Sequence, residues 1–243
     1  MTGGAVKAAC EAVRDRVLEQ AAAKLGRPAA ELALEGGSVV AGDRPGSDPA
    51  VEIDLVDPSA AELLPLADLL AEQVVEETRE YHHRETRALD PDGQGEAHVA
   101  FAFAAHRAVV DVDTELGLVK VVEIATAQDV GKAINPQAVE GQIEGGIAQG
   151  LGLAVMEEIQ VVDGQVRNPS FTDYLIPTVL DMPPVRLDVL ELGHPDSPYG
   201  LRGIGEPPTI SSTPAIVAAV RAATGLPLTR VPLRPDEVAG LDR

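Results

Sequence analysis

The chain has 243 residues and is 45% hydrophobic, which is enough to build the core of one large domain or two small ones. Its 39 acidic residues against 19 basic ones give a formal net charge of -20, and this charge argues against a partner held through phosphates. Three Tyr, three Phe and no Trp leave no stacking platform for bases, so nucleic-acid binding is disfavoured.

The single cysteine and the distribution of apolar residues indicate the cellular compartment in which the protein is expected. Cys10 is the only cysteine, so no disulfide framework, zinc cluster or iron–sulfur cluster can be built within the chain, and we expect a small buried thiol. Lys7 and Glu11 lie where a signal peptide would need an uninterrupted apolar region, and no apolar run approaches the roughly 18 residues of a membrane span. The sequence therefore predicts a cytoplasmic protein without a membrane partner.

The first part of the chain predicts a helix followed by short strands. Residues 5–25 carry apolar side chains at helical spacing with charges between them, so an amphipathic helix is expected there. The stretch LALEGGSVV then predicts two strands around its Gly-Gly turn. Ser59 and Glu62 have the spacing of a capping box, so a second helix is expected from that point, with Pro65 interrupting or restarting it.

The remainder of the chain predicts hairpins, helices and one further strand. Residues 98–125 are rich in Val and Phe around the turn DTELG and predict a long hairpin, and Asp163-Gly164 is the turn signal of a second one. The other expected elements are a helix at about 135–158, a helix at about 214–224 with Thr213 as its cap and Pro214 as its first residue, and a strand at 185–192. Without a regular strand-helix-strand alternation, this order predicts an α+β fold of mixed sheets with flanking helices.

The helix expected at 135–158 is rich in glycine. Its start signals are strong, because Asn135 can cap it and Pro136 suits its first position. Each glycine in a helix interior costs roughly 0.5 to 1 kcal/mol relative to Ala. The glycines of this segment are Gly141, Gly145, Gly146, Gly150 and Gly152. Some feature of the fold must therefore need residues without side chains.

Three explanations of these glycines compete. A membrane dimer face is excluded by Glu140, Gln142 and Glu144. Close packing of the helix against another helix or against a sheet is one remaining explanation. The other is close approach of the backbone to a ligand, with Gln142 and Gln149 offering amide donors and acceptors on nearby turns.

A second glycine-rich stretch, GLRGIGEPPTISSTP, frames Glu206. Gly203 and Gly205 permit close approach of the backbone, while the two prolines that follow restrict the torsions after the carboxylate. By pattern alone Glu206 is an exposed loop residue, although a carboxylate held in a defined pose can act as a general base. Arg202 could steady this carboxylate or a substrate electrostatically, or form an ordinary surface ion pair. We expect His106 to be a hydrogen-bonded structural residue.

These two stretches carry a family resemblance. DVGKAINPQAVEGQIEGGIAQGLGLAVMEE, followed further along by GIGEPPTISSTPAIVAAVRAATG, resembles the C-terminal part of the molybdenum-binding subunit of the xanthine dehydrogenase and aldehyde oxidase family. The intervening NPSFTDYLIPT is similar to the family's segment between those motifs. The resemblance is strongest from Tyr81 to Leu233, and YHHRETRALDPDGQGEAHVAFAFAAHRAVVDVD is most similar to bacterial xanthine dehydrogenase subunits.

The resemblance implies the second molybdenum-cofactor-binding domain of a molybdenum hydroxylase. Such enzymes oxidise a purine, another N-heterocycle or an aldehyde at molybdenum held by molybdopterin, and iron–sulfur clusters and FAD on other subunits take the electrons. The GxGE segment implies that Glu206 is the catalytic base. The cofactor-binding residues that the resemblance implies are Gln149, Gln142 as the weaker candidate, Gly145, Gly146 and Gly205, with no metal ligand from this chain.

The resemblance also implies partners, because family subunits are much longer and their N-terminal cofactor-binding half has no counterpart here. We expect an N-terminal helix and α+β segment at 1–95, and a molybdopterin-binding and catalytic segment at 96–243, within one continuous family domain. The chain is interpreted either as a split subunit that docks with a separate N-terminal half or as a truncated fragment. The alternative to an enzyme component is a non-catalytic fragment or assembly module that keeps the fold without molybdenum. A free-standing hydrolase would need a second acid, a nucleophile or a metal cluster beside Glu206.

Overall fold

A computed structural model describes residues 2–42, 62–71 and 73–241 of the chain. The chain divides into two compact units, the first spanning 1–99 with 195–200 and the second spanning 100–194 with 201–243. None of the described helices is both long enough and apolar enough to cross a membrane.

The first unit packs one long helix against a small antiparallel sheet. Helix α1 ends before Gly26, which has the positive φ of 66° that a helix C-terminus favours. The elements of this unit are α1 (Thr2–Leu25), a short 3-10 turn (Ala29–Glu31), β1 (Leu32–Glu35), β2 (Ser38–Ala41), β3 (Glu62–Pro65) and α2 (Leu66–Leu69). The strands pair in the order β1-β2-β3, and their apolar residues form a core with the C-terminal half of α1. The predicted first helix and first hairpin are confirmed.

Two expectations for the first unit are wrong. Cys10 is exposed rather than buried, because the buried residues of α1 lie mostly in its second half, where the helix meets the core. The helix expected from Ser59 is replaced at Glu62–Pro65 by strand β3, whose backbone pairs with β2. The expected restart at Pro65 is confirmed, because helix α2 begins at Leu66. Ser59 itself lies outside the described residues.

The second unit is built on a three-stranded mixed sheet. Strand β4 (Phe103–Asp113) forms a long hairpin with β5 (Leu118–Asp129), and β8 (Val185–Leu190) lies parallel to β5 on its other side. A separate two-stranded hairpin joins β6 (Val161–Val162) to β7 (Gln165–Val166). Its turn residues Asp163 and Gly164 both have positive φ, as a type I′ turn requires. Both predicted hairpins and the α+β class are confirmed.

Three helices complete the second unit: α3 (Pro136–Val155), α4 (Pro207–Thr224) and α5 (Pro235–Val238). Helix α3 starts as predicted, because the Asn135 side chain accepts a hydrogen bond from the Ala138 amide at 3.0 Å. Its apolar stripe is buried with β5 and α4 in one core. The residues of this stripe are Val139, Ile143, Ile147, Leu151 and Ala154.

The predicted start of α4 is wrong. The helix begins at Pro207, and Pro214 lies inside it rather than at its first position. Pro207 and Pro208 occupy the first turn, where a helix does not use the backbone N–H that proline lacks. Thr213 therefore does not cap this helix, and its hydroxyl donates instead to the Gly150 carbonyl of α3 at 3.0 Å.

Candidate active site

The glycines of α3 fall into two groups by the surroundings of their Cα atoms. A Cβ on Gly146 would lie 2.6 Å from Cβ of the buried Pro208, and a Cβ on Gly150 would overlap Ser212 Oγ. Gly152 likewise meets Pro177, whose Cδ lies 2.9 Å from the position of an added Cβ. Helix α4 can therefore approach α3 only because Gly146 and Gly150 have no side chain. Close packing, one of the two remaining explanations, accounts for this group.

Two threonine hydroxyls of α4 reach backbone carbonyl groups of α3 where the helices lie close together. Thr209 Oγ lies 3.0 Å from the Gly146 carbonyl, and Thr213 Oγ lies 3.0 Å from the Gly150 carbonyl. The threonines are four residues apart on α4, and the glycines are four residues apart on α3, so the two pairs match in spacing. From the sequence we expected Thr213 only as a helix cap, and we did not identify Thr209. The signal was present, since TISST repeats the i, i+4 spacing of the glycines.

Gly141 and Gly145 have different surroundings. Both are exposed, and a Cβ on either would meet no described atom within 4 Å. Gly145 lies three residues after Gln142 and four before Gln149, so these residues share one side of α3. We call Gly141, Gln142, Gly145 and Gln149 the open stripe. Packing within the described residues leaves its glycines unexplained, and close approach of a ligand stays a prediction for them.

The loop that carries Glu206 lies beside the open stripe. Gln142 Oε1 is 4.0 Å from the place that a Cβ on Gly205 would occupy. Glu206 is exposed at the N-terminus of α4, and its backbone carbonyl accepts hydrogen bonds from the amides of Thr209 and Ile210. Its carboxylate has no hydrogen bond or ion pair with any described side chain or backbone group. The backbone of Glu206 is therefore held while its carboxylate stays accessible.

The two glutamines differ in what they contact. Gln149 Oε1 lies 3.0 Å from Thr209 Oγ and is tied to α4, whereas Gln142 contacts the loop at Gly205. Thr209 has one hydroxyl proton to share between Gln149 and the Gly146 carbonyl. Gln142 thus lies beside Gly205, and Gln149 lies beside Thr209 in the first turn of α4. The order in which the two glutamines rank as cofactor contacts stays a prediction.

Arg202 pairs with Asp129 and not with the Glu206 carboxylate, and this ion pair is not an ordinary surface pair. Arg202 Nε lies 2.7 Å from Asp129 Oδ2, with side-chain exposures of only 12% and 4%. The expectations of a surface ion pair and of a direct pair with Glu206 are therefore wrong, because the partner of Arg202 is a buried carboxylate at the end of β5. Asp129 is a second residue that sequence reasoning missed, since no local pattern connects it to Arg202.

His106 has the structural role that we expected. Its Nδ1 lies 2.7 Å from Ser211 Oγ on α4, and burial lowers the pKa of the imidazole below its ordinary value. Ser211 also lies 2.9 Å from the Pro207 carbonyl, so this contact supports the first turn of α4. His106 therefore stabilises the helix that begins after Glu206, from the side of β4.

The donor set of the site suits an organic cofactor better than a bare metal ion. Over residues 2–42, 62–71 and 73–241, no group of three or more His, Cys, Asp or Glu side chains is arranged to hold a metal. The open stripe instead offers two amide side chains and a helix surface without Cβ atoms at two positions. Such a surface fits a flat group that has many hydrogen-bonding atoms, as a pterin has.

Comparisons with known proteins place this α+β chain in a family. The model of the molybdopterin cofactor-binding domain matches residues 1–183. One subunit of the probable xanthine dehydrogenase of Bacillus subtilis is 38% identical over 148 residues, covering 61% of this chain. The aldehyde oxidoreductase of Megalodesulfovibrio gigas is 33% identical over 148 residues, covering 60% of this chain. The crystal structure of quinoline 2-oxidoreductase from Pseudomonas putida 86 matches 96% of this chain with 29% identity and a TM-score of 0.72.

The chain therefore belongs to the molybdopterin cofactor-binding domains of the xanthine dehydrogenase family. The resemblance identified from the two glycine-rich motifs is confirmed. The chain spans 20% of the Bacillus subtilis protein, 16% of the aldehyde oxidoreductase and 28% of the quinoline enzyme's chain. The family model ends at residue 183, before the segment of Glu206.

Proposed function

We propose that this chain supplies the catalytic base and part of the pterin-binding surface of a molybdenum hydroxylase. The substrate would be a small molecule, namely a purine of the xanthine or hypoxanthine type, another N-heterocycle or an aldehyde, oxidised in the cytoplasm. The observation that carries this proposal is the accessible carboxylate of Glu206 beside Gly205 and Gln142, at the edge of a helix surface without side chains. Family membership supports the cofactor, and the geometry supports the residues.

The cofactor surface is assigned to the open stripe and the adjacent loop. Gln142 and Gly145 are the principal contacts from α3, and Gly205 is the contact from the loop. Gln149 keeps its amide nitrogen for a second contact, since its oxygen faces Thr209. Gly146, which we also expected at the cofactor, is buried against Pro208, and we assign its role to the contact between the helices.

Glu206 acts as a general base in this proposal. A bound molybdenum–molybdopterin supplies the redox centre at which a substrate carbon is oxidised. The part played by this chain is to accept a proton at a carboxylate oxygen of Glu206. The backbone of Glu206 is fixed by the two amides at the start of α4, and the carboxylate has no competing partner among the described residues.

The proposed assembly includes the N-terminal half of a molybdenum subunit together with iron–sulfur and FAD subunits. The chain covers a fifth or less of the length of the Bacillus subtilis and Megalodesulfovibrio gigas relatives. Several large apolar side chains of the second unit are also exposed, with Phe171 at 84%, Val179 at 85% and Leu180 at 92%. Exposed apolar groups of this size are typical of a surface that another polypeptide covers.

The proposal is tested by producing the chain together with the product of the adjacent upstream reading frame. Molybdenum content and the oxidation of xanthine, a quinoline-type heterocycle and an aldehyde are measured in the purified complex. Glu206→Gln is expected to lower kcat by about 10²- to 10⁴-fold at equal molybdenum content, because the base is lost while the cofactor surface is kept.

Glu115→Gln is the matched control, since Glu115 is an exposed glutamate in the turn between β4 and β5. It is expected to leave activity unchanged. Full activity in Glu206→Gln would contradict the catalytic assignment. A complex without molybdenum would support the alternative of a non-catalytic assembly module.

A further inference from the structure

A buried ion pair anchors the loop immediately before Glu206. Asp129, the last residue of β5, accepts hydrogen bonds at Oδ1 from the amides of Gly131 and Leu192, both at 3.0 Å. Its second oxygen, Oδ2, pairs with Arg202 Nε at 2.7 Å. Both oxygens of this buried carboxylate are therefore used, and one of them faces the residue that starts the loop.

Arg202 is held on several sides at once. Its side chain donates to the carbonyls of Leu192 at 3.1 Å and Phe101 at 2.6 Å, and its guanidinium lies 5.3 Å from the centre of the Phe103 ring. Its backbone amide donates to the Val130 carbonyl at 2.9 Å. A planar guanidinium bound in this way has one orientation, which a lysine ammonium would not reproduce.

The ion pair lies at the start of a short segment that contains two glycines. Between Arg202 and Glu206 the chain contains two glycines, Gly203 and Gly205, which have the widest backbone freedom of any residue. No described group lies within 4 Å of an added Cβ on Gly203. Ile204, between the two glycines, is partly buried and packs against the core of the second unit. Helix α4 holds the C-terminal end of the segment at Glu206, and Arg202 holds its N-terminal end.

We propose that Asp129 and Arg202 are positioning residues for Glu206. The ion pair holds one end of the loop, α4 holds the other, and together they keep Gly205 beside Gln142 and the carboxylate at the cofactor surface. This inference rests on the proposed function for the role of Glu206. The restraint itself belongs to the chain alone and is measured without cofactor.

The restraint is tested by residue-resolved amide hydrogen exchange on the full chain. The principal variant is the double substitution Asp129→Asn with Arg202→Gln, which removes both charges and leaves no unpaired buried charge. A second variant, Arg202→Lys, keeps the charge and loses the planar fork. The control is Glu158→Gln with Arg234→Gln, which removes another ion pair of the second unit, one with two hydrogen bonds between the side chains.

The expected result is an exchange rate at the amide of residue 202 that rises by about tenfold or more in both test variants, with faster exchange also at Thr209 and Ile210. These last two amides bond to the Glu206 carbonyl and report its release. The control leaves all three at the wild-type rate. Unchanged exchange at residue 202 would overturn the inference, and so would an equal rise across α3 and the sheet, because that would show general destabilisation.

The assembled enzyme provides a second readout. Positioning predicts that the double variant lowers kcat per bound molybdenum by about tenfold or more with KM unchanged. A merely structural role predicts less folded enzyme with an unchanged kcat per molybdenum, which would overturn the inference. If Glu206→Gln has no effect, the proposed function fails, while the exchange result still decides whether the ion pair restrains the loop.

Discussion

The two sides of α3 carry the same residue type for different reasons. On the side facing α4, Gly146 and Gly150 leave room for Pro208 and Ser212, so the helix–helix contact offsets what the glycines cost the helix. On the open stripe, Gly141 and Gly145 have the same cost and no described neighbour within reach. What an added Cβ would meet therefore separates glycines that helix packing explains from glycines that it leaves unexplained among the described residues.

The largest expected effect separating the two sides is that of Gly146→Ala. The new methyl group would lie 2.6 Å from Cβ of Pro208, which is buried and has a rigid ring. We expect the free energy of unfolding to fall by about 1 to 3 kcal/mol, measured by urea denaturation. A variant as stable as the wild type would show that α4 can move away from α3 without a loss of stability. The distinction between the two sides of α3 would then not hold.

The adjacent substitution Gly145→Ala is the matched comparison. It adds the same methyl group one residue earlier, where no described atom lies within 4 Å. We expect the free energy of unfolding to rise by about 0.5 to 1 kcal/mol, because alanine loses less backbone entropy in a helix interior. Opposite signs for the two neighbouring substitutions would confirm the comparison, and a loss of stability in both would break it.

A smaller effect on stability is expected from His106, which supports helix α4 from strand β4. Burial holds the pKa of His106 below its ordinary 6.5, so the unfolded chain takes up a proton at a higher pH than the folded chain does. This contribution to stability is complete above pH 6.5 and is lost as the pH falls below it through the lowered pKa. The free energy of unfolding, measured between about pH 8 and pH 5, should therefore fall less on the acid side in His106→Gln than in the wild type. The same slope in both proteins would contradict the assignment, and His82→Gln, at an exposed histidine, is the control.

Local signals explain which elements could be predicted. Asn135 and the Asp163-Gly164 turn specify their structures through bonds and torsions within a few residues, and both predictions are confirmed. The start of α4 was misplaced because Pro207 and Pro214 are equally good first residues of a helix by local chemistry. The earlier start of the helix includes Thr209, whose hydroxyl contacts α3, and local sequence does not indicate this contact.

The candidate site residues came from the family resemblance, and their contacts could not be predicted from the sequence. Family resemblance pointed to Glu206 and to both glutamines, yet the choice between Gln142 and Gln149 depends on where the loop of Gly205 lies. Arg202 lies in a loop, and its partner Asp129 lies at the end of strand β5, far away in the sequence, so Asp129 could not be found from local pattern. Such pairings are set by the tertiary fold.

The most direct test of the central claim is the molybdenum content of the assembled complex carrying Gly145→Leu. Leucine is a good helix former, and position 145 has no described neighbour within 4 Å of an added Cβ, so the fold should remain as stable as the wild type. If the open stripe is the surface that the pterin approaches, the side chain blocks it and the purified complex should contain little or no molybdenum. A stable complex with the wild-type molybdenum content would contradict the claim.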